Sequence, residues 1–358
     1  MTKVAIIGTQ GVPAKYGGFE SLVENLLGDN CPEDVEYTVF CSGKDMQEHL
    51  LYYKGAKLKY IPLKANGVQS VPYDILSLCK ALNGYDVVLV LGVSGCLFLP
   101  VFCLLNSKKL IINIDGMEYK RDKWGKFAKK ILKISEAMAV KYADVVITDN
   151  KAIQKYVAEE YGKESKLIAY GGDHVLRTLP DEFVDATLNK YGLKKNHYAI
   201  AVCRIEPENN CEMVLNAFSK SDKTLVYIGN WDHSAYSQEL HEKYSKYPNI
   251  KMLNAIYDLD VLYALRSNAG LYVHGHSAGG TNPSLVEAMF FGIPIISYDV
   301  VFNRATTQDQ AYYFKGTDSL LEIIKRSDLD GTRMKEIAEK NYTWKAISAQ
   351  YANLYKQK

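Results

Sequence analysis

Residues 276–292 read HSAGGTNPSLVEAMFFG. Two glycines, a Thr-Asn-Pro-Ser turn and an apolar helical pattern place a helix start near Pro283. Backbone N–H groups from about Thr281 to Leu285, including those of Asn282 and Ser284, would face outward there, and the helix dipole favours an anion at that end. Gly279 and Gly280 let the chain come close to such a ligand. Glu287 falls a turn into the helix and is followed at once by Ala288, Met289, Phe290 and Phe291. A carboxylate heading into apolar surroundings is costly unless a specific group meets it. The hydroxyls of a ribose next to a bound phosphate would do so, because a carboxylate can accept a vicinal diol with both oxygens.

Other chemistry-bearing residues stand at the ends of apolar runs. Arg204 closes YAIAVCR and opens RIEPENN (204–210); its forked donors suit phosphate, and a salt bridge within the fold would use an arginine equally well. Asp115 follows KLIINI. The loop GTQGVPAKYGGFE (8–20) ends in Gly17-Gly18 before a helical pattern, as an anion cradle or a plain tight turn. It fits neither the dinucleotide nor the P-loop glycine pattern. Between 120 and 133, Lys120, Arg121, Lys123, Lys126, Lys129, Lys130 and Lys133 face a single acid, Asp122, with Trp124, Phe127, Ile131 and Leu132 interleaved. That is either a solvated helix face or a basic amphipathic surface for anionic lipid headgroups.

The elements that must hold these residues repeat twice. Short apolar runs at 3–8, 36–41, 57–63, 86–92, 109–114 and 144–149 read as strands, with helical patterns between them such as 18–30. The pattern restarts with strands at 198–204, 224–230, 250–256, 269–275 and 293–299. Near-continuous apolar strands separated by helices predict an α/β fold of parallel sheets covered on both faces, in two Rossmann-like halves. The stretch 170–183, rich in glycine, proline and charge, is the expected hinge. Ligands of such sheets lie beyond the carboxyl ends of the strands, where Asp115, Arg204 and the quoted loop all fall.

Bulk properties agree. The 358 residues suffice for about two domains, and 47% apolar with 23% charged residues fits a globular chain. A net charge of +2 gives no reason to expect nucleic acid. The seven cysteines form no Cys-x-x-Cys pair and read as reduced thiols of a cytoplasmic protein, without a metal site. MTKVAIIG reads as a strand rather than a signal peptide, and the longest apolar stretch, 93–105, is too short to span a bilayer.

YGGFE, RIEPENN, SLVEAMFFGIPIIS and the tail NYTWKAISAQYANLY (341–355) together resemble the retaining nucleotide-sugar glycosyltransferases of the GT-B fold, family 4, over nearly the whole chain. GVPAKYGGFESLVE with IDGMEYKR is most similar to bacterial rhamnosyltransferases of capsule and cell-wall polysaccharide synthesis. The resemblance implies two domains facing across a cleft: residues 1–175 binding the acceptor, 176–340 binding the donor, and 341–358 crossing back as a helix onto the first domain. It makes Arg204 the partner of the donor diphosphate, Gly280–Ser284 the loop that holds the phosphates and sugar, and Glu287 the reader of the ribose. Gly17 and Gly18 would close over the diphosphate, and Ile256 and Tyr257 would recognise the base.

Three positions depart from that family. Gly279 stands where a first glutamate is expected, Asn209 where a lysine would partner the arginine, and Asp115 where a histidine is common. The missing glutamate points to a donor sugar unlike glucose, such as L-rhamnose carried on dTDP, with a UDP-hexose as the alternative. No pair of flanking carboxylates is evident for a two-step route, so front-face transfer is expected, with Arg204 and Asp115 at the reacting centre and no cofactor or metal. The expected acceptor is a lipid-linked saccharide at the inner face of the cell membrane, with Tyr16, Arg121, Lys123, Trp124, Lys126 and Lys130 on the acceptor and membrane side. A nucleotide-sugar epimerase, or a non-catalytic nucleotide-sugar-binding module, fits the same fold.

Overall fold

The computed structural model describes residues 1–14, 17–114, 116, 119 and 125–356. They form two compact units, Met1–Tyr170 with Trp344–Lys358 and Gly171–Thr343. In the first, β1 (Thr2–Ile7), β2 (Val35–Ser42), β3 (Tyr52–Tyr53), β4 (Ala56–Ile61), β5 (Val87–Leu91), β6 (Lys109–Asn113), β7 (Val145–Thr148) and β8 (Lys166–Leu167) make one sheet. Its order is β3-β4-β2-β1-β5-β6-β7-β8, parallel throughout except where β3 pairs antiparallel with β4. The second unit carries β9 (Tyr198–Val202), β10 (Thr224–Ile228), β11 (Ile250–Leu253), β12 (Leu271–His274), β13 (Ile295–Tyr298) and β14 (Tyr312–Phe314). These form a wholly parallel sheet in the order β11-β10-β9-β12-β13-β14.

The apolar runs explain both sheets. Val4 to Ile7 and Val87 to Leu91 are buried along their whole length, as strands covered by helices on both faces must be. Strand order then sets where each sheet can bind. Chain order reverses between β1 and β5 in the first unit and between β9 and β12 in the second. At such a switch point the two outgoing loops diverge and leave a crevice beyond the carboxyl ends. Residues 8–14 and 92–95 leave the first switch point, and 203–210 and 275–282 leave the second.

The boundaries of the two units have reasons visible in the bonding. Residues 171–175 belong to the second unit, because the Gly172 N–H donates to the Tyr342 carbonyl (2.9 Å) and the turn Asp173–Val175 carries His174 to Glu287. Residues 341–343 also stay there, with the Tyr342 hydroxyl donating to the Thr306 carbonyl at 2.8 Å. From Trp344 the chain is a helix to Lys356 within the first unit. Trp344, Ile347, Tyr351, Leu354 and Tyr355 are part of that unit's core. Asn113 Nδ2 donates to the Tyr351 hydroxyl (3.0 Å), and Lys109 Nζ to the Leu354 carbonyl (2.6 Å).

Candidate functional site

At the second switch point, the loop after β9 is wound back on Arg204. The Arg204 carbonyl accepts from the Glu206 N–H at 3.0 Å and from Asn209 Nδ2 at 2.8 Å, while the Arg204 side chain is exposed. Asn209 is buried, so its amide shapes this loop instead of offering a second polar head beside the arginine. The loop after β12 is fastened to the same segment. Asn210 Nδ2 donates to the Gly275 carbonyl (2.8 Å), and Ser277 donates to the Glu208 carbonyl through both N–H (3.0 Å) and Oγ (2.8 Å). A side chain at 275 would not fit, since a Cβ there would lie 2.2 Å from the Asn209 carbonyl oxygen. On the other flank Asn303 Nδ2 donates to the His276 carbonyl at 2.9 Å. Side-chain and backbone donors thereby fasten the glycine-rich loop to the segment that follows Arg204, and Asn303 holds the loop from its other flank.

From this loop the chain enters the helix Pro283–Met289 at Asn282, and no side chain caps that end. Gly280 and Thr281 are buried, and Gly279, Asn282, Pro283 and Ser284 are half-buried. Glu287 does meet a specific partner, one the sequence reading did not single out. Arg266, on the helix Leu259–Ser267, donates from NH1 to Glu287 Oε2 at 2.7 Å. His174 Nε2 stands 3.6 Å from the other oxygen, Oε1. Ile256 and Tyr257 follow the edge strand β11, separated from β9 by β10, and Tyr257 is 74% exposed.

The strand end under the glycine loop is itself unusual. His274 is fully buried, with its ring stacked 4.2 Å from that of His276 at 7° between planes. Neither ring nitrogen of His274 has a hydrogen-bond partner. Burial, reinforced by His276, holds its pKa well below 6.5.

In the first unit, Gly17 precedes the helix Gly18–Leu26 with φ 112°. Glu20 explains why glycine stands there: its side chain folds back so that a Cβ at 17 would lie 2.0 Å from Oε2. Glu20 Oε1 accepts from Thr9 Oγ1 (3.0 Å) and the Gln10 N–H (2.7 Å), fixing the loop after β1. Burial raises the Glu20 pKa against these hydrogen bonds. The predicted helix over 18–30 stops at Leu26 and passes into a tight turn at Gly28–Asn30. Asp115, Tyr16, Arg121, Lys123 and Trp124 lie outside the described residues.

Of the basic run, Lys126 and Lys130 are exposed on the helix Lys126–Tyr142, with Phe127 79% exposed beside them. Lys133 departs from that face. It pairs with Glu160 at 2.7 Å and lies 4.8 to 4.9 Å from the ring centres of Tyr119, Tyr156 and Tyr161. The buried Glu136 below accepts from the Tyr156 and Tyr161 hydroxyls at 2.6 and 2.5 Å. The neighbouring helix Leu99–Leu105 packs on Lys126–Tyr142 and exposes Val101, Leu104 and Leu105. Among the described residues no helix is long and apolar enough to cross a membrane, and no three His, Cys, Asp or Glu are grouped to hold a metal ion.

Comparison with known proteins follows the division into units. Residues 1–173 match a domain family of unknown function, DUF1972, and residues 184–344 match the glycosyl transferases group 1 family. No curated protein matches the chain. Similar solved structures include sucrose-phosphate synthase from Thermosynechococcus elongatus, at TM-score 0.83 and 16% identity over 100% of this chain and 99% of that one. HepE of Anabaena in complex with UDP-glucose has TM-score 0.77 and 15% identity over 99% of each chain. The catalytic domain of starch synthase IV from Arabidopsis thaliana, bound to ADP and acarbose, has TM-score 0.73 and 12% identity over 99% of this chain and 98% of that one. The chain therefore has the GT-B fold, and residues 184–344, within and just beyond its second unit, match the group 1 glycosyl transferases.

Proposed function

We propose that the protein transfers a sugar from a nucleoside diphosphate to an acceptor hydroxyl with retention at the anomeric carbon. The observation that carries this reading is the second switch point, where Arg204 and the loop 275–282 are bonded side by side and lead directly to Glu287. HepE was crystallised with UDP-glucose and starch synthase IV with ADP, and the same class of donor is assigned to this chain. Arg204 takes the diphosphate, the stretch from Gly279 to Ser284 surrounds the phosphates and sugar, and Glu287 meets the nucleoside. Asn209 acts through the arginine it positions, Gly17 and Gly18 close over the diphosphate, and Ile256 and Tyr257 take the base.

In the proposed reaction the bond from C1 to the phosphate oxygen breaks as the acceptor oxygen bonds C1 on the same face. The acceptor proton passes to the departing phosphate oxygen, so the leaving group is its own base, and Asp115 orients the reactants. Charge on the diphosphate is met by Arg204 and by backbone dipoles aimed at it, the largest source of catalysis in such sites. No metal is invoked, and turnover should survive chelation.

The donor is assigned as dTDP-L-rhamnose, because glycine at 279 leaves no acid for the hydroxyls that a glucosyl donor presents. The acceptor is a lipid-linked saccharide of bacterial polysaccharide synthesis at the cytoplasmic face of the membrane. Supporting that location, the helix Lys126–Tyr142 exposes Phe127 with Lys126 and Lys130 in its first turns, and the helix Leu99–Leu105 packed on it exposes Val101, Leu104 and Leu105. An exposed aromatic ring flanked by lysines suits an anionic bilayer surface, each nearby lysine contributing about 1 kcal/mol.

Two measurements test the proposal. Incubation with a panel of nucleotide sugars and a lipid-linked acceptor should give glycosylated product and free nucleoside diphosphate, fastest with dTDP-rhamnose. Nucleotide release that ignores the acceptor would count against transfer. Reversing charge at Lys126, Lys129 and Lys130 together should weaken sedimentation with phosphatidylserine vesicles by tenfold or more, roughly, from the lost lysine terms alone. Unchanged sedimentation removes the membrane assignment.

A further inference from the structure

A buried arginine holds half of the Glu287 carboxylate. Arg266 is 2% exposed, and its NH1 donates to Glu287 Oε2 at 2.7 Å while NH2 donates to the Ser284 carbonyl at 3.3 Å. One cation thus spans the first turn of the helix Pro283–Met289. Its guanidinium lies 5.3 Å from the centre of the Phe291 ring, and a charge this deep has no water to turn to. The second oxygen, Oε1, faces His174 Nε2 across 3.6 Å, beyond hydrogen-bond length. Burial, against Glu287 and together with Arg266, holds the His174 pKa below 6.5, so that imidazole is neutral at pH 7. The Glu287 side chain keeps 17% exposure.

A carboxylate reads both hydroxyls of a vicinal diol when each oxygen faces one of them. With Oε2 turned inward to Arg266, that arrangement is lost. Resting on the donor-site reading above, we propose that Arg266 is a positioning residue that leaves Oε1 as the only oxygen of Glu287 available to the donor's furanose. Combined with the dTDP donor assigned above, the site then reads one furanose hydroxyl, the 3′, and is indifferent to the 2′ position.

Calorimetric titration of the intact protein with nucleotides differing by one hydroxyl tests this. UDP and 2′-deoxy-UDP should bind within about threefold of each other. Thymidine diphosphate should bind roughly tenfold or more tightly than its 3′-deoxy form, the usual effect of a hydrogen bond to a charged acceptor. Arg266→Met frees Oε2 and should make UDP about tenfold tighter than 2′-deoxy-UDP, whereas Arg266→Lys keeps a donor on Oε2 and should restore the wild-type ratio. Because Arg266→Met strands a carboxylate, Arg266→Met/Glu287→Gln removes both charges and should fold while losing the 3′ preference. A wild-type protein that loses tenfold or more on removal of the 2′ hydroxyl overturns the role of Arg266, even where Arg266→Met does not fold; so does an Arg266→Met ratio equal to wild type. If Glu287→Gln leaves every one of these constants unchanged, the failure belongs to the donor-site reading itself, and the inference falls with it.

Discussion

Replacing Arg204 by alanine should lower turnover at saturating donor by about 10²–10³-fold, the range found when a donor aimed at developing negative charge is removed. The expected size follows from how little else of full positive charge the loop offers. Asn209, at the position where the resemblance implies a lysine, is buried and donates to the Arg204 carbonyl. In the proposed site the diphosphate relies on one guanidinium and on backbone dipoles. Arg204→Lys should recover only part of the loss, because a point charge cannot reproduce two parallel donors. The melting temperature should barely move, since the side chain is exposed while the loop is held through its backbone. Turnover within a fewfold of wild type would remove Arg204 from the reacting centre.

Arg204 is legible in the sequence, since an arginine closing an apolar strand marks a strand end without further information. The same holds for most of both sheets, whose central strands are continuous apolar runs. Three strands escaped because β3, β8 and β14 are only two or three residues long, too short for any period to register. Arg266 escaped for a different reason. In DLDVLYALRSN it stands in the last turn of a helical pattern, where a cation normally serves the helix dipole in water. Only the packing of two helices brings it 2.7 Å from an acid 21 residues later. His174 lay in a stretch whose glycines and proline read as a hinge, and its burial against Glu287 depends on that same packing. Lys133 shows the converse error. Composition placed it on a basic face, yet helical geometry turns it toward three tyrosines and Glu160. Sequence pattern carries elements well, while the pairing of charges depends on tertiary contacts that no local period encodes.

Asp74→Asn should stabilise the first unit at pH 7 by on the order of 4 kcal/mol, close to 10 °C in melting temperature. Asp74 sits on the helix Ser70–Lys80 and packs against Gly95, just beyond β5, where a Cβ would come within 2.4 Å of the Asp74 Cβ. Burial pushes its pKa from 3.8 to about 8, opposed by the Gly95 amide. At pH 7 the folded chain therefore holds a proton that the unfolded chain releases. Stability from this group is fully present below pH 3.8 and is lost as pH rises through 8. Asparagine keeps the shape and a donor arm without the ionisation, so its advantage should be large at pH 7 and nearly absent at pH 4. Melting curves of both proteins at the two pH values decide it, and an equal gap at each would show that Asp74 is not the titrating group. The second unit responds in the opposite sense. Burial lowers His174 and His274, so the unfolded chain takes up protons first and stability falls as pH drops below 6.5. A variant that acts on Asp74 alone should therefore leave the acid-side loss of the second unit where it is, and that difference separates a local electrostatic effect from a general gain in stability.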